Sequence, residues 1–465
     1  MATHRTAVHY LGSYCTAALL ALGAGNAAAS SFALIEQSVS GMGTAYAVGS
    51  SGIDDASTVY FNPAGMSRLH GSHLSGGLHI VDLNTDFKGS AEYTNTGAPP
   101  PLGLDGVPID GRKKLNLDTT ELVPSGYISH QYSNKVWFGL GVNAPFGLKT
   151  DYDSDKWAGR YHADKSELLT ININPSMAFK FNDTVSIGFG VSALYADGEL
   201  TNAADVGLGD FAAARAEMRP PNLPWLPDEV GKSTFDSKVK LTADDWGYGF
   251  NAGLLLAPTQ NTRIGLHYRS EIDLDLEGHA KVTGPVVKGR QKAKLDITLP
   301  DTVSLSGNYS LNSRWGFMAD VTWTNWSDID TLDIKLQDGS RSVADWDYDD
   351  SWRYSIGAEF KPSRTWTFRT GVALDETPVP SDSLRSPRVP DNDRTWLTLG
   401  MTYRHTPNLS FDFGYAHIFV DDPKMKGVSD NHDPTDGQTT GFHSLSGEYD
   451  ASVDILSAQV NWKFK

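Results

Sequence analysis

The side chains best spaced for chemistry are acidic. Asp151-x-Asp153-x-Asp155 opens like a calcium loop, in which alternate carboxylates converge on a hard cation. Lys156 stands where such a loop needs glycine, and His162 where it needs the closing glutamate. The turn and the bidentate ligand are both missing, so no metal site is expected. His432 and His443 lie in an acidic stretch and could share a cation, but a solvated loop is the expected reading. Gly188-x-Gly190-x-x-Ala193 has dinucleotide-binding spacing, yet it sits inside an alternating stretch and not at a strand-to-helix turn. Small residues facing an enclosed lumen account for it better. No Gly-x-Ser-x-Gly elbow is present. Neither an enzyme nor a cofactor is implied.

The elements that would position any site are strands. The chain has 465 residues, a net charge of −17 and 40% hydrophobic residues. No apolar run reaches the roughly 18–20 residues of a membrane-spanning helix. That leaves soluble all-β domains or a transmembrane barrel, in which only alternate residues meet lipid. The acidic balance argues against nucleic acid, which demands clustered Lys and Arg. Aromatics are abundant (12 Trp, 18 Tyr, 19 Phe) and recur at the ends of predicted strands, as an interfacial girdle requires.

Period-two alternation dominates from residue 71 onward. Leu169, Ile171, Ile173, Pro175, Met177, Phe179 and Phe181 alternate with mostly polar partners, and the last segment repeats the pattern at Leu456, Ala458, Val460, Trp462 and Phe464. Fourteen such segments begin near residues 72, 122, 135, 167, 184, 245, 261, 293, 314, 351, 365, 394, 409 and 452. Short turns, such as Ser133-Asn134, Asn182-Asp183 and Pro362-Ser363, alternate with long connections at 84–121, 144–166, 197–244, 279–292, 330–350, 376–393 and 421–451. One rim of tight turns and one of long loops is the outer-membrane barrel arrangement, and an even strand number lets the sheet close.

Residues 1–29 read as a secretory signal. Arg5 supplies the positive region, Ala17 to Leu22 the apolar core and Ala27-Ala28-Ala29 the cleavage site, with Ser30 as the mature start. Cys15, the only cysteine, falls within it, so the mature chain has no disulfide or thiolate site. Residues 30–70 are different again. Ser40-Gly41-Met42-Gly43-Thr44-Ala45-Tyr46, Gly49-Ser50-Ser51-Gly52, Asp54-Asp55-Ala56 and Asn62-Pro63-Ala64 have no strand period and too many glycines for a long helix. A compact plug ahead of the 71–465 barrel is expected.

On these motifs, with Phe32 near the mature N-terminus, the stretch resembles the hatch of the long-chain fatty acid transport protein (FadL) family of bacterial outer membranes. Ala144-Pro145-Phe146-Gly147-Leu148 through Trp157-Ala158-Gly159-Arg160-Tyr161 resembles that family's third extracellular loop. The resemblance implies passive uptake of hydrophobic molecules, fatty acids or aromatic hydrocarbons, across the outer membrane. It also implies a groove between two outer loops, a pocket near Phe32, and release through the wall beside a kinked third strand. A surface receptor or adhesin, a general porin and a lipid hydrolase are the alternatives. A monomer meeting lipopolysaccharide and membrane lipid is expected, with no nucleic-acid partner.

The candidate ligand residues are Phe32, Phe146, Leu148, Trp157, Arg160, Trp225, Arg353 and Arg369. Trp225 belongs to an apolar loop patch, Phe211 to Val230, of the kind that marks a binding surface. Alternation turns Arg353 and Arg369 into the lumen, where a cation could meet a carboxylate, although pairing with Asp or Glu would serve equally. Asn62, Pro63 and Ala64, with Gly139 and Gly141 on the third strand, are the candidate gating residues. The Asn-Pro corner is expected against the inward bend of that strand. The final Lys465 follows Phe464, whereas many barrels end on an aromatic.

Overall fold

The computed structural model describes residues 31–95, 104–152, 156–206, 208, 233, 236–285, 287–431 and 441–464. The putting-together of the chain begins with one continuous antiparallel sheet. Grouped by their pairing, its long strands number fourteen. The first six are Ser72–Tyr93, Thr119–Gln131, Val136–Asn143, Lys165–Lys180, Val185–Ala204 and Ser237–Thr259. The seventh runs as Thr262–Arg269 then Ile272–Thr283, and the eighth as Lys288–Leu299 then Thr302–Ser310. The last six are Trp315–Thr324, Ser351–Phe360, Trp366–Asp375, Arg394–Thr406, Leu409–Val420 and His443–Phe464. The last strand pairs with the first from Ser72↔Phe464 to Tyr93↔His443. The sheet therefore closes and leaves neither terminal strand with a free edge.

Alternation becomes an inside and an outside. Leu74, Ile80, Ile128, Phe138, Leu140, Ile171, Ile173 and Met177 are exposed on the outer wall, a surface suited to lipid and not to water. Near the tight turns the outer wall is aromatic, in pairs such as Trp366–Tyr403 at 4.8 Å, Trp315–Phe360 at 4.5 Å and Trp462–Phe464 at 5.1 Å between ring centroids. The turns themselves share one device. Asn182 Oδ1 accepts the backbone N–H of Thr184 and Val185, and Asn312 Oδ1 those of Arg314 and Trp315. Short polar side chains thus cap the reversal in place of a ladder bond.

The strands are longer than the hydrophobic pattern. The first continues through Tyr93, the fifth through Ala204, and the sixth starts at Ser237. The connection read as 279–292 is hairpin almost throughout, leaving only the residues between Thr283 and Lys288. The 330–350 connection carries its own hairpin, Thr331–Leu336 with Arg341–Asp345. Above the bilayer both faces of a strand are polar, so alternation ends where the hydrogen-bond ladder does not.

Residues 31–69 pack inside the barrel. Ser38 caps a turn of helix at Val39–Met42, and Asn62 caps a 3-10 turn at Pro63–Arg68 by accepting the Ala64 N–H at 3.0 Å. The wall meets this segment with glycines because there is no room for a Cβ. One added at Gly265 would lie 1.7 Å from the Ser50 carbonyl oxygen, and one at Gly371 2.2 Å from the Thr44 carbonyl carbon. Gly188 faces Pro63 and Ala64 in the same way, which explains its false dinucleotide spacing.

Candidate functional site

The third strand determines the geometry of the site. It pairs with the second only over Gly126–Gln131 and with the fourth over Asn172–Phe179. After Asn143 the chain turns into the lumen at Ala144-Pro145-Phe146, all buried, and rejoins the fourth strand at Gly147. Residues 119–125 of the second strand keep their pairing with the first but face no strand partner on the other side among the described residues. The N-terminal segment takes up the diverted backbone. Leu34 N–H donates to Pro145 O at 2.8 Å, Gly147 N–H to Phe32 O at 2.9 Å, and Gln37 Nε2 to Ala144 O at 2.7 Å. These bonds supply partners that a strand leaving its sheet would otherwise lose.

Beside this bend lies a cavity of about 130 Å³. Leu34, Ile35, Tyr46, Tyr60, Phe61, Phe146 and Trp326 form its apolar lining, and Arg269 and Arg353 its cationic part. Phe32 stands behind it, edge-on to Trp326 at 4.9 Å and 6.1 Å from Phe146. Arg269 donates to the Tyr60 carbonyl at 2.9 Å, lies 4.2 Å over the Tyr60 ring, and has no carboxylate in ion-pair reach among the described residues. Arg353 donates to the Ala45 carbonyl at 3.1 Å and approaches Asp375 only to 3.9 Å. Its Nε and Nη1 donate to no described group. Two guanidiniums with spare donors in an aromatic cavity can hold one carboxylate while its tail stays on the rings.

Glu36 lies deeper. It is fully buried, and neither of its oxygens has a hydrogen-bond partner among the described residues. Burial pushes its carboxyl up to about 8, against the pull of Arg353 and Arg394. At neutral pH it is therefore held mainly as the neutral acid.

The predicted residues are dispersed. Phe146 and Arg353 line the cavity, Phe32 backs it, and Leu148 packs against the same apolar cluster. Arg369 does point inward, but into a separate cavity of about 250 Å³ on the far side of the N-terminal segment. There Arg369 Nη1 donates to Thr402 at 2.6 Å, and its guanidinium pairs with Glu359 at 3.2 Å and Asp412 at 3.7 Å, the arrangement that the pairing alternative describes.

Trp157 and Arg160 are corrected too. Trp157 is wholly buried in the loop cluster, stacked on Tyr152 at 3.8 Å and donating to the Ala163 carbonyl. Arg160 Nε donates to Asp236 at 2.6 Å, Nη1 to the Asp110 carbonyl at 2.6 Å, and Nη2 to Tyr161 at 2.8 Å. Both hold the loops together. The His443 ring is not solvated either: it lies buried between Asp430, 2.6 Å away, and Asp205, 3.3 Å away. Trp225 with its 211–230 patch, His432, Asp153, Asp155, Lys465 and the 1–29 leader lie outside the described residues.

The gating set is rearranged. Asn62 bonds its neighbours as expected, but it also donates to the Leu254 carbonyl at 3.1 Å, and a Cβ at Gly253 would meet its Oδ1. The Asn62-Pro63-Ala64 corner thus abuts the fifth and sixth strands, not the bend. Gly139 and Gly141 belong to the paired part of the third strand. A Cβ at Gly139 would lie 2.5 Å from Met66 Sδ and 2.7 Å from Val59 Cγ2, so these glycines seat the other flank of the N-terminal segment.

Sequence reasoning missed Arg269, Tyr60 and Trp326. The rule that found Arg353 also finds Arg269, since Leu266 faces outward beside the buried His267 and Arg269. Trp326 lies on a loop with no period to read.

Strands, closure and an enclosed lumen cavity define an outer-membrane β-barrel transport protein. The comparisons make the family specific. The family described as outer membrane protein transport protein (OMPP1/FadL/TodX) matches residues 20–464, and the chain belongs to it. Outer membrane protein P1 of Haemophilus influenzae is 32% identical over 463 residues, covering 97% of this chain and 98% of that relative. A long-chain fatty acid transport protein of Escherichia coli is 30% identical over 436 residues, covering 90% and 91%. Among solved structures, a Pseudomonas aeruginosa FadL homologue superposes with a TM-score of 0.80 at 24% identity, covering 94% of this chain and all of that one. The Pseudomonas putida toluene transporter TodX superposes with a TM-score of 0.66 at 18% identity, covering 91% and 98%. The protein resides in the outer membrane of Gram-negative bacteria. Its family is one of transporters, not enzymes.

Proposed function

We propose that this barrel takes up hydrophobic carboxylates, long-chain fatty acids in the first place, passively across the outer membrane. The observation that carries this reading is the cavity beside Phe146, where an aromatic lining meets two guanidiniums with unspent donors. A neutral aromatic hydrocarbon would use the rings and leave the charges idle. The relatives divide along the same line, one being a fatty acid transporter and one a toluene transporter.

Residues 30–70 act as the hatch and 71–465 as the barrel, with 1–29 removed on export. The protein works as a monomer among lipopolysaccharide and phospholipid. Cargo leaves the cavity sideways, between residues 119–125 of the second strand and the bend at Ala144–Phe146, where the wall lacks ladder bonds. Pro124 brings no N–H to that half strand, so one fewer donor goes unpaired there.

Extraction of the purified protein with organic solvent, followed by mass spectrometry, tests the ligand class. A co-purified fatty acid is expected; a protein that neither carries nor binds any apolar ligand would sink the proposal. The exit is tested by Ala144→Thr with Pro145→Val, which favours continued strand pairing and leaves Phe146 in place. Ligand binding should persist while growth on a fatty acid carbon source falls. Full growth at equal expression would send the cargo along the barrel axis.

A further inference from the structure

The seventh and eighth strands are interrupted at one level. They pair at Arg269↔Thr302 and again at Ile272↔Leu299. Between these pairs Ser270-Glu271 stands against Pro300-Asp301 outside the ladder, and Pro300 has no N–H to give. The inward face of the seventh strand shifts there, from His267 and Arg269 to Ile272 and Leu274, which turns Glu271 outward. Asp328 reaches the same place from the 3-10 turn Trp326–Asp328. The Asn325 N–H ties that turn down by donating to the Asp301 carbonyl at 3.0 Å.

One carboxylate oxygen from each of Glu271, Asp301 and Asp328 lies within 4.8 Å of the other two. Glu271 and Asp328 are exposed, whereas Asp301 is only 9% exposed. The Tyr268 hydroxyl lies close to the Asp301 carboxylate, and Asn325 Nδ2 donates to Asp328 at 2.8 Å. Asp301 Oδ1 still has no hydrogen-bond partner among the described residues. The charges acting most strongly on Glu271 and Asp328 are all negative, with Asp273, Asp330 and Asp350 adding to the three. A buried carboxylate with a spare oxygen, held against two further carboxylates, is costly unless a cation or a proton joins them.

A set of oxygen ligands alone selects a hard cation. An ion about 2.3–2.6 Å from each oxygen, the calcium distance, spans separations of this size. Calcium also tolerates irregular geometry, which suits ligands drawn from two strand breaks and a turn, whereas magnesium demands a near-ideal octahedron. The two exposed carboxylates leave room for water to complete the shell. Such an ion would act inward as well. Trp326 begins the turn that Asp328 ends, lines the lumen cavity and meets Phe32 edge-on at 4.9 Å.

We infer that Glu271, Asp301 and Asp328 form a calcium site on the outer side of the wall, and that the bound ion fixes the turn carrying Trp326. The site does not depend on which cargo the lumen takes.

The test uses the full-length barrel, purified into detergent and stripped with EDTA. Terbium, a calcium stand-in that emits when a nearby tryptophan is excited, should luminesce on binding beside Trp326. Calcium should displace it at about 10⁻⁴–10⁻³ M, the range of extracellular calcium modules. With calcium at about ten times its dissociation constant, hydrogen exchange at residues 325–329 should slow about tenfold in the unaltered protein, a readout independent of any variant's folding. Asp301→Asn and Glu271→Gln should each weaken binding about tenfold or more and remove that protection. Exchange at 325–329 indifferent to calcium would overturn the site and leave the three acids joined by a proton. Terbium binding unchanged in Asp301→Asn would place the ion on the acidic loops and overturn it equally.

Discussion

Two buried arginines, Arg160 among the loops and Arg269 in the lumen, have the same side chain and opposite employment. All three guanidinium nitrogens of Arg160 donate, to Asp236, two carbonyls and Tyr161. Arg269 spends one nitrogen on a carbonyl and its face on a tyrosine ring. The first is neutralised by a carboxylate from the same chain, and the second has no such partner among the described residues. What separates a brace from a binding group is therefore not residue type, burial or aromatic company, which the two share. It is whether the hydrogen-bonding capacity has already been spent.

Removing each group should break different things. Arg160→Ala strands Asp236 as a buried charge, and losing one partner of such a pair costs about 3–5 kcal/mol. Hydrogen exchange around Trp157–Asp164 and Asp236 should accelerate sharply, with binding in the lumen nearly unchanged. If ligand affinity collapsed instead, the distinction drawn between the two regions would be wrong. Phe32→Ala comes next. Phe32 touches Phe146 and Trp326 and takes no part in strand pairing. Truncating a buried phenylalanine puts about 3–5 kcal/mol at stake, shared between packing of the N-terminal segment and the proposed ligand contact. Affinity should fall at least about tenfold while the barrel still inserts and remains heat-modifiable. Unchanged affinity would take Phe32 out of the site.

Arg269→Met sharpens the comparison by ligand chemistry. It keeps the apolar stem and removes the donors, so a fatty acid should bind about 1.5–3 kcal/mol more weakly. Toluene should bind as before. Equal loss for both ligands would mean that Arg269 merely shapes the cavity.

These two arginines also mark how far the sequence could be read. Alternation reports a side chain's inside or outside position, and it does so wherever one face meets lipid. It therefore located the fourteen strands, the inward turn of Arg353 and Arg369, and in principle Arg269. It says nothing of depth along the barrel axis, so Arg353 and Arg369 looked equivalent although the N-terminal segment stands between their cavities. It fails above the bilayer, where Tyr93 and Ala204 continue strands with no apolar face to announce them. Nor can it show how loops pack: Trp157 and Arg160 read as ligand groups through the likeness of their loop, and here Trp157 stacks on Tyr152 of that same loop while Arg160 pairs with Asp236 of another. The segment 31–69 was legible as irregular and glycine-rich. The orientation that sets Asn62 against Gly253 and Met66 against Gly139 depends on three-dimensional fit, which no local pattern encodes.

The smallest effect concerns Glu36, which sharpens the lumen side. Arg353, Arg394 and Asp375 face it from the wall, and Tyr46 lies within its own segment. Desolvation raises its carboxyl from 4.5 to about 8, so the folded protein holds a proton that the unfolded chain releases. Stability rises with pH only where the unfolded state binds more protons, and here the folded state binds more. The contribution is full below about pH 4.5 and is lost as pH climbs to about 8. Protection of residues 31–69 from proteolysis should accordingly decline across that window. Glu36→Gln keeps the neutral shape and cannot ionise, so this decline should flatten while ligand affinity at low pH stays the same. If the variant keeps the full pH dependence, another group in the lumen carries the titration. If it loses affinity at low pH, then Glu36 donates its proton to the ligand, and the two arginines are not the only polar contacts of the site.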